Sequence, residues 1–207
     1  MLRILLHTIC LLSGATLSAQ KTDTAYVSEI ARHRDHYKLE FVIETRSPLS
    51  DEDTSLLDFY KADPSWRVTA RFERTPDTQP FDMPAYSGRS AKYQQYGTLF
   101  FEKAGKTYSL QVYQNIRLLT SQKYYDYLFL PFKDNTNGDT TYGGGRYLDL
   151  RAGDISGDNQ LTVDFNKAYN PWCAYSDGYN CPIPPATNHL DLAVTAGEKN
   201  FRGEKKH

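Results

Sequence analysis

The chain has 207 residues, with 24 Lys and Arg against 25 Asp and Glu, a net charge of −1 and an apolar fraction of 40%. That is ordinary composition for a single globular domain, and a chain this long can bury a core without metals or disulfides. The near-neutral balance excludes electrostatic nucleic-acid binding as a main function, because such binding needs a surplus of Lys and Arg on one face to displace counterions.

Residues 1–19 carry Arg3, an apolar run from Ile4 to Leu12 interrupted by His7 and Thr8, and small residues ending at Ala19. This reads as a secretory signal peptide cleaved after Ala19, and its apolar run is well short of the roughly 20 residues a spanning helix needs. The expected setting is therefore exported, periplasmic or extracellular, with no membrane span. Cys10 lacks the small residues that a lipid-attachment box requires before its cysteine. Two cysteines remain, Cys173 and Cys181, and in an oxidising compartment a pair eight positions apart is most simply a disulfide. The alternative is a free nucleophile at Cys173, which needs a neighbouring base.

From Asp23 to about Phe41, Tyr26, Ile30, Tyr37 and Phe41 recur at helical spacing. Thr22 or Asp23 can cap this helix, and Arg32, His33, Arg34, His36 and Lys38 fall on its wetter face. Ser47-Pro48 ends the segment, and Ser50 with Asp53 resembles a capping box for a short helix through Leu56, Leu57 and Phe59. After Pro64 the period changes. Trp66, Val68, Ala70 and Phe72 alternate with polar residues, as in a half-buried strand. Residues 75–84 read as a proline-broken loop or edge strand, and 93–113 as a hairpin turning through Ala104-Gly105-Lys106. Further strands are predicted at 125–131, 146–151, 160–165 and 189–195. The expected fold is α+β: one domain over 20–198, with an N-terminal helical segment followed by a mainly antiparallel sheet or partly closed barrel. Residues 199–207 read as a flexible basic tail.

Between Asp134 and Asn188, Asn, Asp, Tyr, Gly, Pro and Cys crowd out aliphatic residues. Gly143-Gly144-Gly145 permits close backbone approach before Arg146, and Asn170-Pro171, Cys181-Pro182 and Pro184-Pro185 stiffen the later loop. The words TYGGGRYLDL, DFNKAYNPWCAY, CPIPP and AGEK resemble the domain-of-unknown-function 1684 family, mainly of bacteria. The resemblance implies a motif but no activity, cofactor or partner. Its motif positions include Asp134, Tyr142, Gly145, Arg146, Asp149 and Glu198. His189 stands where the family more often has Arg, which argues against a shared chemical role for it.

Several chemistries compete for this segment. Cys173, Cys181 and His189 could hold zinc, but the spacing is wider than the usual tight pairs and oxidation competes. The run Asp134 to Asp139 suggests a calcium loop, yet Gly138 is misplaced for an EF-hand and no closing Glu follows. The glycine run is no phosphate loop, since neither the Lys-Ser/Thr end nor the following helix is present. No metal or cofactor is predicted. What remains is a polar constellation of Tyr142, Arg146, Asp164, Asn166, Tyr169 and Asn170, in which the guanidinium could clamp a carboxylate or phosphate, or else pair with Asp164 in an internal network. The leading reading is a module that binds a small molecule or an exported partner around Arg146. The alternative is an exported hydrolase in which Asp134, Asp164 or Cys173 serves as base or nucleophile and Arg146 with Asn166 stabilises developing negative charge.

Overall fold

A computed structural model describes residues 13–207; the apolar run and basic end of the expected signal peptide lie outside the described residues. A long helix, α1 (Ser13–Ile43), is followed by a 3₁₀ turn at Glu52–Leu56. Seven strands then follow: β1 (Arg67–Arg74), β2 (Phe81–Met83), β3 (Ala91–Lys103), β4 (Lys106–Asn115), β5 (Tyr127–Phe132), β6 (Arg146–Arg151) and β7 (Gln160–Asp164). The sheet runs β6-β5-β4-β3-β1-β7, with β2 added beside β3, and every pairing is antiparallel. It curls into a half-barrel whose two edges, β6 and β7, leave an open seam. This is the α+β single-domain architecture that the sequence predicts.

The elements follow from their side chains. Tyr26, Ile30 and Phe41 are the buried stripe of α1. The helix runs through Thr22 and Asp23 instead of being capped there, because Ala15, Leu17, Ala19, Gln20 and Lys21 are all good helix formers. The capping box forms on the 3₁₀ turn: Asp53 Oδ2 accepts from the Ser50 amide at 2.8 Å, and the Asp53 amide donates back to Ser50 Oγ at 3.3 Å. The β3–β4 hairpin turns at Ala104 (φ 50°) and Gly105 (φ 75°), the doubly left-handed geometry of a two-residue loop whose twist matches its strands. Alternate residues of the sheet, among them Phe72, Leu99, Phe101, Leu110, Val112, Leu130 and Leu148, form the main core. On the opposite face Met83, Tyr93, Tyr113, Phe129 and Tyr147 make a second, aromatic cluster. Strand β5 belongs to both, so Leu128 to Phe132 read as an unbroken apolar run.

Two expectations fail. Residues 189–195 are not a strand; they make only a parallel bridge between Lys133 and His189. Their alternation is real, since Leu190 and Val194 enter the main core, but no regular ladder forms: the Leu190 amide and Leu192 carbonyl bond to the backbone of Lys133 and Asn135, while the Val194 amide and carbonyl are taken by the side chains of Asp134 and Arg146. The tail also differs from expectation. The Lys206 amide donates to Tyr175 O at 2.9 Å, and the Asp177 amide to Lys206 O at 2.9 Å. Lys199 pairs with Asp58 at 2.8 Å. Lys205 and Lys206 pair with Asp177 and Asp53, Arg202 donates to Ser55 O, and the backbone closes a bridge from Ser176 to Lys206.

Candidate functional site

Arg146 enters the core from the first residue of β6 and is fully buried. Its guanidinium pairs with Asp134 at 2.8 Å, a carboxylate that is itself fully buried, and not with Asp164. The same nitrogen donates to Val194 O at 2.9 Å, while the other terminal nitrogen donates to the carbonyls of Ala196 and Glu198. Asp134 Oδ1 accepts from the amides of Thr136 at 2.9 Å and Val194 at 3.2 Å. The pair thus does for residues 194–198 what a neighbouring strand would do. Only Arg146 Nε is left without a partner. The guanidinium is fully buried among these partners, so the clamp expected around Arg146 is turned inward. The calcium-like run is likewise spent on its own turn, where the Asp134 amide donates to Asn137 Oδ1 at 2.7 Å.

The other predicted residues fall into separate clusters. Asp164 accepts from Tyr26 of α1 at 2.9 and 3.1 Å and lies 3.5 Å from Arg67 Nε. Asn166 joins that cluster, donating to Tyr26 Oη at 2.7 Å and to Asp63 O at 2.8 Å. The Asn170 amide donates at 2.8 Å to Glu198, which also accepts from Tyr175 at 2.6 Å and Tyr37 at 3.0 Å. Burial pushes the Glu198 carboxyl up to about 7, overcoming the opposing pull of the Tyr175, Asn170 and Tyr37 donors. Tyr142 sits apart, with its hydroxyl 3.4 Å from Cys173 O. Cys173 and Cys181 form a disulfide across Cα atoms 6.2 Å apart. His189 makes a single ring contact, to Pro184 O at 3.2 Å. Bonded in this way, Cys173 offers neither a thiol nucleophile nor a zinc ligand, and the hydrolase set of Asp134, Asp164, Cys173, Arg146 and Asn166 does not converge. Among the described residues no three His, Cys, Asp or Glu side chains are grouped to hold a metal.

The seam itself holds a concavity of about 610 Å³ that mixes apolar and ionisable groups. Leu148, Asp149 and Leu150 of β6 form one wall, and Leu161, Thr162 and Asp164 of β7 the other. The second half of α1 roofs it with His33, His36, Tyr37 and Glu40, while Tyr169 and Trp172 close one end. The Tyr147 amide and carbonyl point away from β5, exchanging bonds with Tyr169 at 2.9 and 3.0 Å. Backbone groups alternate along a strand, so those of Asp149 also face the seam. Asp149 is the most unusual group there. Tyr127 and Tyr169 both donate to its Oδ1 at 2.7 Å, leaving Oδ2 without a donor. Asp149 remains open to solvent at the cavity wall, and the protein packed around it raises its carboxyl above the usual carboxylate range, against the pull of the two tyrosines. Burial and the nearby Lys167 lower His33, favouring its neutral imidazole.

Of the six predicted site residues, Asp164 and Tyr169 reach this cavity, whereas Arg146, Asn166, Asn170 and Tyr142 do not line it. The sequence names Asp149 only as a family motif position and Tyr37, His33 and His36 only as helix residues, and assigns none of them, nor Trp172, to a site. One signal was available for Asp149: aspartate is depleted in strands, and in RYLDLR it falls mid-strand on the face opposite Leu148 and Leu150.

No curated protein matches the chain. The fold is similar to the solution structure of an uncharacterized protein of Haloarcula marismortui, with a TM-score of 0.66 and 33% identity, over 86% of this chain and 96% of that one. Residues 53–199, which include every strand and the carboxylates of Asp134, Asp149, Asp164 and Glu198, match the family described as protein of unknown function (DUF1684), and the chain belongs to that family.

Proposed function

We propose that this protein is an exported small-molecule-binding module and that its ligand seats in the seam between β6 and β7, not around Arg146. The observation that carries the reading is the 610 Å³ concavity, which joins apolar strand residues and aromatic rings to a carboxylate with an unused oxygen. Ligand sites generally combine a mostly apolar wall with a few convergent polar groups at a break in a barrel or sheet. Arg146, Asp134 and the disulfide then act as supports that hold the loops at the cavity's end. An exported setting is supported by the disulfide, and among the described residues no helix is long and apolar enough to cross a membrane.

A hydrolase remains the second reading, and one observation favours it: Asp149 faces a cleft with its carboxyl raised toward the range useful for proton transfer. A fragment screen by ¹H–¹⁵N NMR tests the site. Binding fragments are expected to shift amides near Asp149, Thr162 and Trp172 together, and Thr162→Trp, which fills the cavity, is expected to abolish those shifts. Shifts scattered over the surface, or ones that survive Thr162→Trp, would refute the seam as the site. Substrate turnover lost in Asp149→Asn would favour the hydrolase.

A further inference from the structure

Building on the seam as a ligand site, we infer that the ligand class is an organic ammonium cation, held by the Asp149 carboxylate among the rings of Tyr37, Tyr169 and Trp172. The argument is one of charge pairing. The basic groups around the cavity already have partners: Arg67 makes a two-pronged pair with Glu29 at 2.8 and 3.0 Å, Lys167 reaches the same carboxylate at 3.1 Å, and Arg151 pairs with Asp126 at 2.7 Å. Asp149, by contrast, is open to solvent, is held by hydroxyls alone and has no ion-pair partner among the described residues, so its free oxygen is available to a bound cation. The Tyr169 hydroxyl, which lines the cavity, spends its proton on Asp149, so what it presents to a ligand is oxygen lone pairs. With Asp149 Oδ2 it forms a pair of acceptors, matched to N–H donors and repelling an anion.

The aromatic lining points the same way. Tyr37 and Tyr169 stand with ring centroids 5.9 Å apart, and Trp172 lines the same cavity. Ring faces carry negative potential and attract ammonium groups, most strongly where water is excluded. Polyols also suit aromatic rings and carboxylates, but a polyol would leave the Asp149 charge uncompensated.

The test is an NMR titration of the full-length exported protein with n-butylammonium and tetramethylammonium, set against n-butanol, butyrate and sorbitol. The ammonium probes are expected to shift cavity resonances saturably and at least about tenfold more tightly than the uncharged or anionic ones. Asp149→Asn keeps the size and the acceptor oxygen but removes the charge, so it is expected to weaken the ammonium probes by about tenfold and leave n-butanol unchanged. If n-butanol, sorbitol or butyrate binds in the seam as tightly as the ammonium probes, the cation proposal falls while the ligand site stands. Equal ammonium affinity in wild type and Asp149→Asn would overturn it too. If no probe and no fragment shifts the seam, both readings fall. The paired probes decide the question in the unaltered protein, so a variant that failed to fold would leave the test intact.

Discussion

Arg146 illustrates how one side chain can stand in for an element of structure. Its two terminal nitrogens reach Asp134 and three carbonyls of a segment that lies outside the seven strands. A lysine at that position keeps the charge but is a compact donor that cannot fork to Asp134 and to Val194, Ala196 and Glu198 together. Breaking a buried pair leaves an uncompensated charge, so Arg146→Lys is expected to lower stability by about 3 kcal/mol in urea denaturation. An unchanged urea midpoint would show that the segment 194–198 holds itself. Ammonium binding in the seam is expected to survive the substitution at temperatures where the variant is folded, because Arg146 does not line the cavity. The sequence held a clue to the true partner. Phe132 pairs with Arg146 in the β5–β6 register, which puts Asp134, two residues on, beside the start of β6. Asp164 carried the right charge but belongs to β7, at the far edge of the sheet.

At the scale of elements, the period of apolar residues was a good guide wherever a ladder also satisfied the backbone. β1 alternates as its sequence does, β6 spans the predicted 146–151, and the β3–β4 hairpin turns at Ala104-Gly105. Residues 189–195 show the limit: alternation reports which side chains enter the core and says nothing of where the amides bond. The loops depend on positions that only glycine tolerates. Gly145 adopts φ 93°, and a Cβ there would lie 2.7 Å from Phe132 O and 2.8 Å from Pro184 Cγ. Gly145→Ala is therefore expected to cost about 2 kcal/mol, from backbone strain and from a clash at the entry to β6. Gly153→Ala provides the comparison, since nothing lies within 4 Å of its Cβ, and it is expected to change stability by less than about 0.5 kcal/mol. Equal thermal midpoints for the two variants would mean that the loop before β6 yields to relieve the clash.

The whole molecule is tied together by α1, and the sequence could not reveal how, because the ties join residues more than a hundred positions apart. Tyr26 bonds to Asp164 at the β7 edge, and Tyr37 bonds to Glu198 beyond the last strand. Glu198 is thus a node between the helix, the 3₁₀ turn at Trp172–Ala174 and the C-terminal segment, with Tyr37, Tyr175 and Asn170 as its facing groups. It is fully buried, and burial pushes its carboxyl from 4.5 in the unfolded chain up to about 7. Between those values the folded protein holds a proton that the unfolded chain has lost. The resulting stabilisation is complete below about pH 4.5 and is lost as pH rises through 7, a change on the order of 3 kcal/mol. Glu198→Gln cannot titrate, and its amide can offer both a donor and an acceptor to the same partners. Asp149, raised in the same direction, and His33, lowered, titrate in wild type and variant alike and cancel in the comparison. Urea denaturation of both proteins at pH 5 and pH 8 is therefore expected to show the variant gaining on wild type as pH rises, by up to that amount. A constant difference across the window would mean that Glu198 stays charged in the folded protein, with three donors outweighing its burial.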